Sequence, residues 1–314
     1  MGVISLKKVV VTGGAGFIGS NLVKELINRG NQVSVIDDLR TGSAKNLENL
    51  EISLIQKDLL DLTFDLADAF RGVDEVYHFA ANADVRDGWT HPRLDLEQNV
   101  LGTIRVLEAC VLAKVNHLIF SSTGSIYGDT NQIPTPENAI PSNQTSLYSA
   151  SKYAAESFIQ AYSEAGRIRA TIFRFVSVLG PNYSHGHVVD FVKSLLHNPD
   201  TLRVLGDGTQ RKSYMHVSDC VRGVVELRGP KSCETFNLGV DGYCEIKESV
   251  EWITSFLGVE PSLEYTGGPR GWVGDNPYIW LDISKAKMMG WEPQFSIRDS
   301  IIATADFLVK DLRK

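Results

Sequence analysis

Lys7-Lys8-Val9-Val10-Val11-Thr12-Gly13-Gly14-Ala15-Gly16-Phe17-Ile18-Gly19 is the stretch on which the reading of this 314-residue chain turns. Lys7–Thr12 ends in a β-branched apolar run, as a strand buried on both faces of a parallel sheet requires. Gly16–Arg29 then carries apolar residues at helical spacing (Phe17, Leu22, Leu26) and stops at Gly30, where a C-terminal glycine is expected. Between strand and helix lies the pattern Gly13-x-x-Gly16-x-x-Gly19. Gly13 suits the tight turn, Gly16 lets the backbone approach a pyrophosphate, and Gly19 lets helix and strand pack closely. The first helical turn, with Phe17 and Ile18, offers free N–H groups to that anion. A strand before and a helix after turn a weak glycine spacing into a dinucleotide-binding signal.

Outward from this stretch, Gln32–Asp37 reads as a second strand. Asp37 ends it, 18 residues after Gly19, where a carboxylate can accept a hydrogen bond from a ribose 2′-OH. With Asp38 beside it, a 2′-phosphate would meet like charge, so NAD is expected rather than NADP. Ser53–Gln56, Glu75–Ala81, His117–Ser122 and Arg169–Phe175 read as further strands, and Leu94–Ala113 and Tyr148–Ala165 as long helices. Such alternation predicts an α/β protein with a doubly wound parallel sheet. After about residue 176 the elements shorten between Gly180-Pro181, Gly206-Asp207-Gly208 and Gly267-Gly268-Pro269. Residues 1–176 are therefore expected to form the dinucleotide-binding domain and 177–314 mainly a smaller α/β substrate lobe. Segments near 214–240 should return to the first unit, with Thr235–Leu238 as a candidate strand of the large sheet.

The composition, 43% hydrophobic and 22% charged, excludes wholesale disorder, collagen and coiled coil. A net charge of −7 without any Lys/Arg run speaks against nucleic acid as a partner. No apolar run approaches the ~18 residues that span a membrane. Met1–Leu6 is too short an apolar stretch for a signal peptide. Four scattered cysteines without a CxxC pair suit a reducing compartment, so a cytoplasmic location is expected. His185 and His187 lack partner carboxylates or thiols in the sequence, and no metal is expected there.

A second signal is Tyr148-Ser149-Ala150-Ser151-Lys152, whose i, i+4 spacing puts phenol and amine on one helix face. A nearby ammonium lowers a pKa by about 1–3 units, which would bring Tyr148 toward the range of a general base. Ser121, Ser122 and Thr123 end the fifth strand, and ligands of open parallel sheets bind at such ends. Thr123 can donate and accept at once, as a proton relay between a sugar hydroxyl and Tyr148 needs.

These residues resemble the extended short-chain dehydrogenase/reductases, and among them the UDP-glucose (UDP-galactose) 4-epimerases. The likeness runs through Thr12–Gly19, Asp37–Leu39, Asp58-Leu59, His78–Ala81, Asn99–Thr103, Ser121–Gly128, Tyr148–Lys152, Arg174–Pro181, Lys212–Val217 and Gly274-Asp275. It implies a Rossmann-type fold, tightly bound NAD, a UDP-sugar substrate and a homodimer built on the two long helices. Thr123, Tyr148 and Lys152 fall on the catalytic positions, with Lys152 also holding the nicotinamide ribose. Asp58 and Leu59 would flank the adenine. Phe79, Ala80, Ala81, Asn99, Ser121, Phe175 and Val178 would line or support the rest of the cofactor path. Ser125, Ser177, His187, Val188, Lys212, Arg270 and Trp280 would face the substrate.

Several of these depart from the family pattern. Ser177 and His187 stand where Asn is usual, Lys212 where Arg often meets phosphate, and Trp272 where a second Arg is usual, with Arg270 two residues away. Trp280 sits where the resemblance implies a gate on sugar size, a large residue favouring unacetylated hexoses. Related dehydratases carry Asp-Glu after the catalytic Thr, and nucleotide-glucuronate decarboxylases tend to place Glu second; Gly124 and Ser125 stand here. A 4-keto-sugar reductase would use the same Tyr, Lys and Thr. A non-catalytic NAD-binding protein would be expected to have lost one of them.

Overall fold

The three valines that open the fold are at most 2% exposed, so β1 (Lys8–Thr12) is buried on both faces. The computed structural model describes residues 6–313. Met1–Ser5, most of the N-terminal stretch weighed above as a leader, and Lys314 lie outside the described residues. In chain order β1 is followed by α1 (Phe17–Asn28), β2 (Gln32–Asp37), β3 (Ile52–Gln56), α2 (Leu66–Ala69) and β4 (Glu75–His78). Next, α3 (Pro92–Asp95) runs through a π-helical stretch, Leu96–Leu101, into α4 (Gly102–Ala113). Then come β5 (His117–Thr123), α5 (Leu147–Glu164), β6 (Arg169–Phe175), β7 (Ser177–Leu179), α6 (His187–His197), β8 (Thr201–Val204), β9 (Arg211–Lys212) and β10 (Tyr214–His216). The chain ends with α7 (Val217–Glu226), β11 (Cys233–Leu238), β12 (Cys244–Glu245), α8 (Ile246–Leu257), β13 (Ser262–Tyr265), β14 (Tyr278–Ile279), α9 (Ser284–Met288) and α10 (Ile297–Leu312).

Among the described residues, seven strands pair in parallel in the order β11-β6-β5-β4-β1-β2-β3. The order reverses between β1 and β4, and their carboxyl ends frame the crevice where such sheets bind ligands. α1 and α7 cover one face through Leu22, Leu26, Cys220 and Val224. α2, α4 and α5 cover the other through Leu66, Leu107, Ala155 and Ile159. Residues of α6, β8, α8 and α10 close a third core around Val192, Leu202, Ile253 and Ile301.

Thr235–Leu238 does pair with β6, inside the longer β11. β4 stops at His78, earlier than the apolar run to Ala81 suggested. There the chain bends over the end of β1: Phe79 N donates to Thr12 O at 3.0 Å and Ala80 N to Thr12 Oγ1 at 3.3 Å. The helix read as Leu94–Ala113 begins earlier, at Pro92, and is not uniformly α. No helix among the described residues is long and apolar enough to cross a membrane.

Candidate active site

The glycine turn is closed by contacts that only hydrogen permits. Gly13 has φ +70, and a Cβ there would meet Ala80 N at 2.5 Å. A Cβ on Gly19 would meet Gly13 O at 2.0 Å. Gly16 differs: a Cβ would meet only Gly13 O, at 3.3 Å, so its outer side is open. Gly16 is also the N-cap of α1, which has no side-chain cap and no acidic residue in its first turn. An uncapped, positively polarised helix end beside an open glycine fits a dinucleotide's pyrophosphate.

Asp37 is 7% exposed. Its two oxygens accept from Ala15 N and Leu39 N, each at 2.9 Å. The carboxylate thus braces the glycine turn before it meets any ribose; burial raises its pKa against the pull of those two N–H groups. Asp38 and Asp58 both pair with Arg40, at 3.1 and 2.8 Å. Arg40, the cation nearest in sequence that could welcome a 2′-phosphate, is therefore already neutralised by two carboxylates. Leu59 is buried beside them.

Ser121 Oγ donates to His78 O at 3.3 Å, joining the carboxyl ends of β5 and β4. The Phe79 and Phe175 rings lie 6.3 Å apart across the crevice, and Val178 is buried on β7. Thr123 Oγ1 accepts from Ser125 N at 3.1 Å and lies close enough to the half-buried Tyr148 to act on its phenol. A box in which Ser146 and Ser149 cap each other fixes the start of α5, two residues before Tyr148.

The phenol differs from the sequence expectation. It is pushed up to about 12, by burial first and then by the charge of Asp95, with the Thr123 hydroxyl opposing. Lys152 is 2% exposed, and its Nζ stands 4.1 Å from the centre of the Phe120 ring. Burial pushes this amine down to about 7. No group among the described residues hydrogen-bonds to it. The amine therefore has its donors free, and a ribose hydroxyl in the crevice would give it a partner. The open Gly16, the uncapped helix and this amine together fit NAD.

Sequence reasoning named Asn99 but missed the layer it forms with Asn82, Asp95 and Ser151. Asn99 Oδ1 accepts from Asn82 N at 2.8 Å, and its Nδ2 reaches Ser151 Oγ at 2.8 Å and Asp95 Oδ1 at 3.2 Å. Asn82 Nδ2 also donates to Asp95 Oδ1 at 2.9 Å. This ties the loop after β4 to the residue before Lys152, across the π-helical stretch, a feature frequent at functional sites. The available signal was Asp95 lying four residues before Asn99, on one helix face.

The second half behaves less as expected. Lys212 is not an open phosphate ligand: its Nζ pairs with Asp275 Oδ1 at 2.8 Å and donates to Asn276 O. Arg270 donates to Asp275 O and pairs with Asp129 at 2.6 Å, and remains 39% exposed. His187 bonds Ser249 Oγ at 2.8 Å and packs on Tyr214; burial, then Lys212, pushes its ring down to about 3, so it is neutral. Val188 is 0% exposed within the third core and offers a ligand no surface, which corrects its place among the substrate-facing residues. Ser177 is half-buried on β7. Trp280 leans on Tyr243 at 5.9 Å, on the same side as Tyr278, while Ile279 packs toward the main core. Leu281, the next residue, fills the space beside Gly124, where a Cβ would meet it at 3.1 Å.

Residues 9–239 match the model of the NAD dependent epimerase/dehydratase family. A putative UDP-glucose 4-epimerase of Methanocaldococcus jannaschii is 32% identical over 97% of this chain and 99% of its own. The solved structure of a Thermotoga maritima UDP-glucose 4-epimerase with UDP-glucose superposes with a TM-score of 0.88 at 29% identity, over 97% of this chain and 99% of that one. A Bacillus cereus UDP-glucuronic acid 4-epimerase solved with UDP-glucuronic acid and NAD gives 0.88 at 28% identity, over 96% and 99%.

Proposed function

This chain belongs to the NAD dependent epimerase/dehydratase family, and from that premise we propose that it is an NAD-dependent nucleotide-sugar 4-epimerase interconverting UDP-glucose and UDP-galactose. The observation that carries the reading is the grouping of Thr123, at the end of β5 and acting on the Tyr148 phenol, with Lys152, one turn further along α5, whose amine makes no hydrogen bond among the described residues.

Bound NAD supplies the reversible oxidation at the carbinol carbon, and its cationic ring favours loss of the phenol proton. Tyr148 Oη takes the proton of the C4 hydroxyl. Thr123 Oγ1 holds that hydroxyl and passes the proton between sugar and phenol. Lys152 Nζ holds the nicotinamide ribose and favours the phenolate. The 4-keto sugar turns over in the cleft, so that the hydride would return to the other face of C4, while Tyr148 gives its proton back to the C4 oxygen. Nothing is consumed, so the cofactor stays bound between turnovers.

Gly124 and Ser125 supply no acid–base pair for eliminating water or assisting decarboxylation, which disfavours those family activities. We assign the diphosphate to Arg270 before Lys212, because Lys212 is already paired. The second half, 177–314, supplies the sugar-nucleotide side of the cleft in this reading. The protein acts as a homodimer through α4 and α5: Leu101, at the end of the π-helical stretch that leads into α4, and Tyr153 and Phe158 on α5 are 38–43% exposed, an apolar surface that a second copy would cover. It works in solution in the cytoplasm, without nucleic acid or membrane.

The test is incubation of the purified protein with UDP-glucose, UDP-galactose, UDP-glucuronic acid and UDP-GlcNAc without added reductant, followed by chromatography of the products. UDP-glucose and UDP-galactose should interconvert, and heat-denatured protein should release NAD. Absence of any stereoisomer product sinks the reading; turnover of the uronic acid alone moves it to another sugar. Equal turnover of UDP-GlcNAc removes Trp280 as a size gate. Tighter binding of NADP than NAD removes Asp37 from its role.

A further inference from the structure

Glu156 lies one turn beyond Lys152, on the same face of α5, and is 1% exposed. A carboxylate so buried needs pairing. Arg174 of β6 reaches it with Nε at 3.1 and 3.2 Å and Nη2 at 2.6 Å. Ser122 Oγ, from the residue before Thr123, donates to Oε1. Arg174 is itself held by Tyr127 Oη at 2.7 Å and Glu137 O at 2.9 Å. The carboxylate is therefore clamped from β5 and β6, beside an amine that has no direct partner.

The other charged and titratable groups around Lys152 do not provide this counter-charge. His78 on β4 is locked between Thr12 and Thr103 and pushed down to about 3 by burial, so it is neutral. β5 presents Phe120 and Ser122. Arg174 on β6 is a cation. Asp95, on the helix preceding α4, acts on Tyr148. Tyr148 itself carries its proton. Glu156 is the group whose charge opposes the effect of burial on Lys152.

We propose that Glu156 is a positioning residue: its clamped carboxylate is the counter-charge that keeps Lys152 an ammonium able to act on Tyr148 and on the cofactor's ribose. The inference rests on the epimerase reading. A salt bridge serving only to staple α5 to β6 could sit on any inward turn of the helix. This one is a single turn from the amine and is fastened to the strand end that carries Thr123.

The test is Glu156→Gln in the full chain, which keeps the shape and removes the charge. Titrating the Lys152 amine by 15N NMR, with the resonance assigned through Lys152→Met, should give a midpoint lower by about one pH unit or more than wild type. The alkaline limb of kcat against pH should fall in parallel, with KM changing less than kcat, and Glu156→Asp should restore much of both. Because the single change strands Arg174, Glu156→Gln/Arg174→Met is read in the same way if Glu156→Gln does not fold. An unmoved Lys152 midpoint in either folded variant, with only a lower Tm, overturns the proposal and leaves a staple. If the wild type interconverts no sugars, the epimerase reading falls, whereas the Lys152 titration still decides the role of Glu156.

Discussion

A phenol at about 12 is a poor base at neutral pH, and burial together with one neighbouring charge holds it there. Burial is the larger cause and Asp95 the second. Asp95→Asn keeps an oxygen for Asn82 and Asn99 but removes the charge, so the phenol ionises more easily. The acid limb of the kcat profile should move to lower pH, and an unmoved limb would dissociate Asp95 from Tyr148. Tyr148→Phe removes the proton acceptor itself. It should lower kcat at least about a hundredfold, the range of a general base, while the protein still carries NAD in its absorbance spectrum.

The elements show where local sequence was sufficient. β2 and β6 have the bounds that their apolar runs implied, because a strand buried on both faces reads as an uninterrupted run. α5 begins one residue before Tyr148, where Ser146 and Ser149 satisfy the first free N–H groups. Ser146→Ala should cost about 1 kcal/mol of stability, seen as a lower urea midpoint. Because this cap sets the register of Tyr148, kcat should fall with it. The π-helical stretch was not legible, since no residue type marks it; it is a pattern of backbone bonds from i to i+5. The two- and three-residue strands β7, β9, β10, β12 and β14 were equally hidden, as pairing across the chain creates them.

At the scale of the molecule, the sheet could be read from the sequence because its strands and the glycine turn are short local spans, and the proposed cofactor-side residues Asp37, Tyr148 and Lys152 likewise rest on short spans. The substrate side depends on partners far along the chain. Lys212 meets Asp275 63 residues away and His187 meets Ser249 62 residues away, so residue type alone misassigned their freedom. Three histidines, His78, His117 and His187, are held neutral, with burial pushing them to about 3, 4 and 3. Below their ordinary value near 6.5 the unfolded chain binds protons that the fold does not. Stability should therefore fall as pH drops from about 6.5 toward 4, by up to ~1.4 kcal/mol per unit for each ring. Urea midpoints measured across that range check this, and a flat profile would contradict the buried neutral rings.

The Leu281 side chain against Gly124 ties the choice of chemistry to a distant part of the chain. An acid engineered at Gly124 would collide with an isobutyl group supplied from more than 150 residues downstream. Retooling this scaffold toward elimination is then a two-site problem: Gly124→Asp alone should destabilise the protein, and Gly124→Asp with Leu281→Ala should regain much of the loss. The order in which those substitutions are tolerated would show how readily one member of this superfamily can drift into another's reaction.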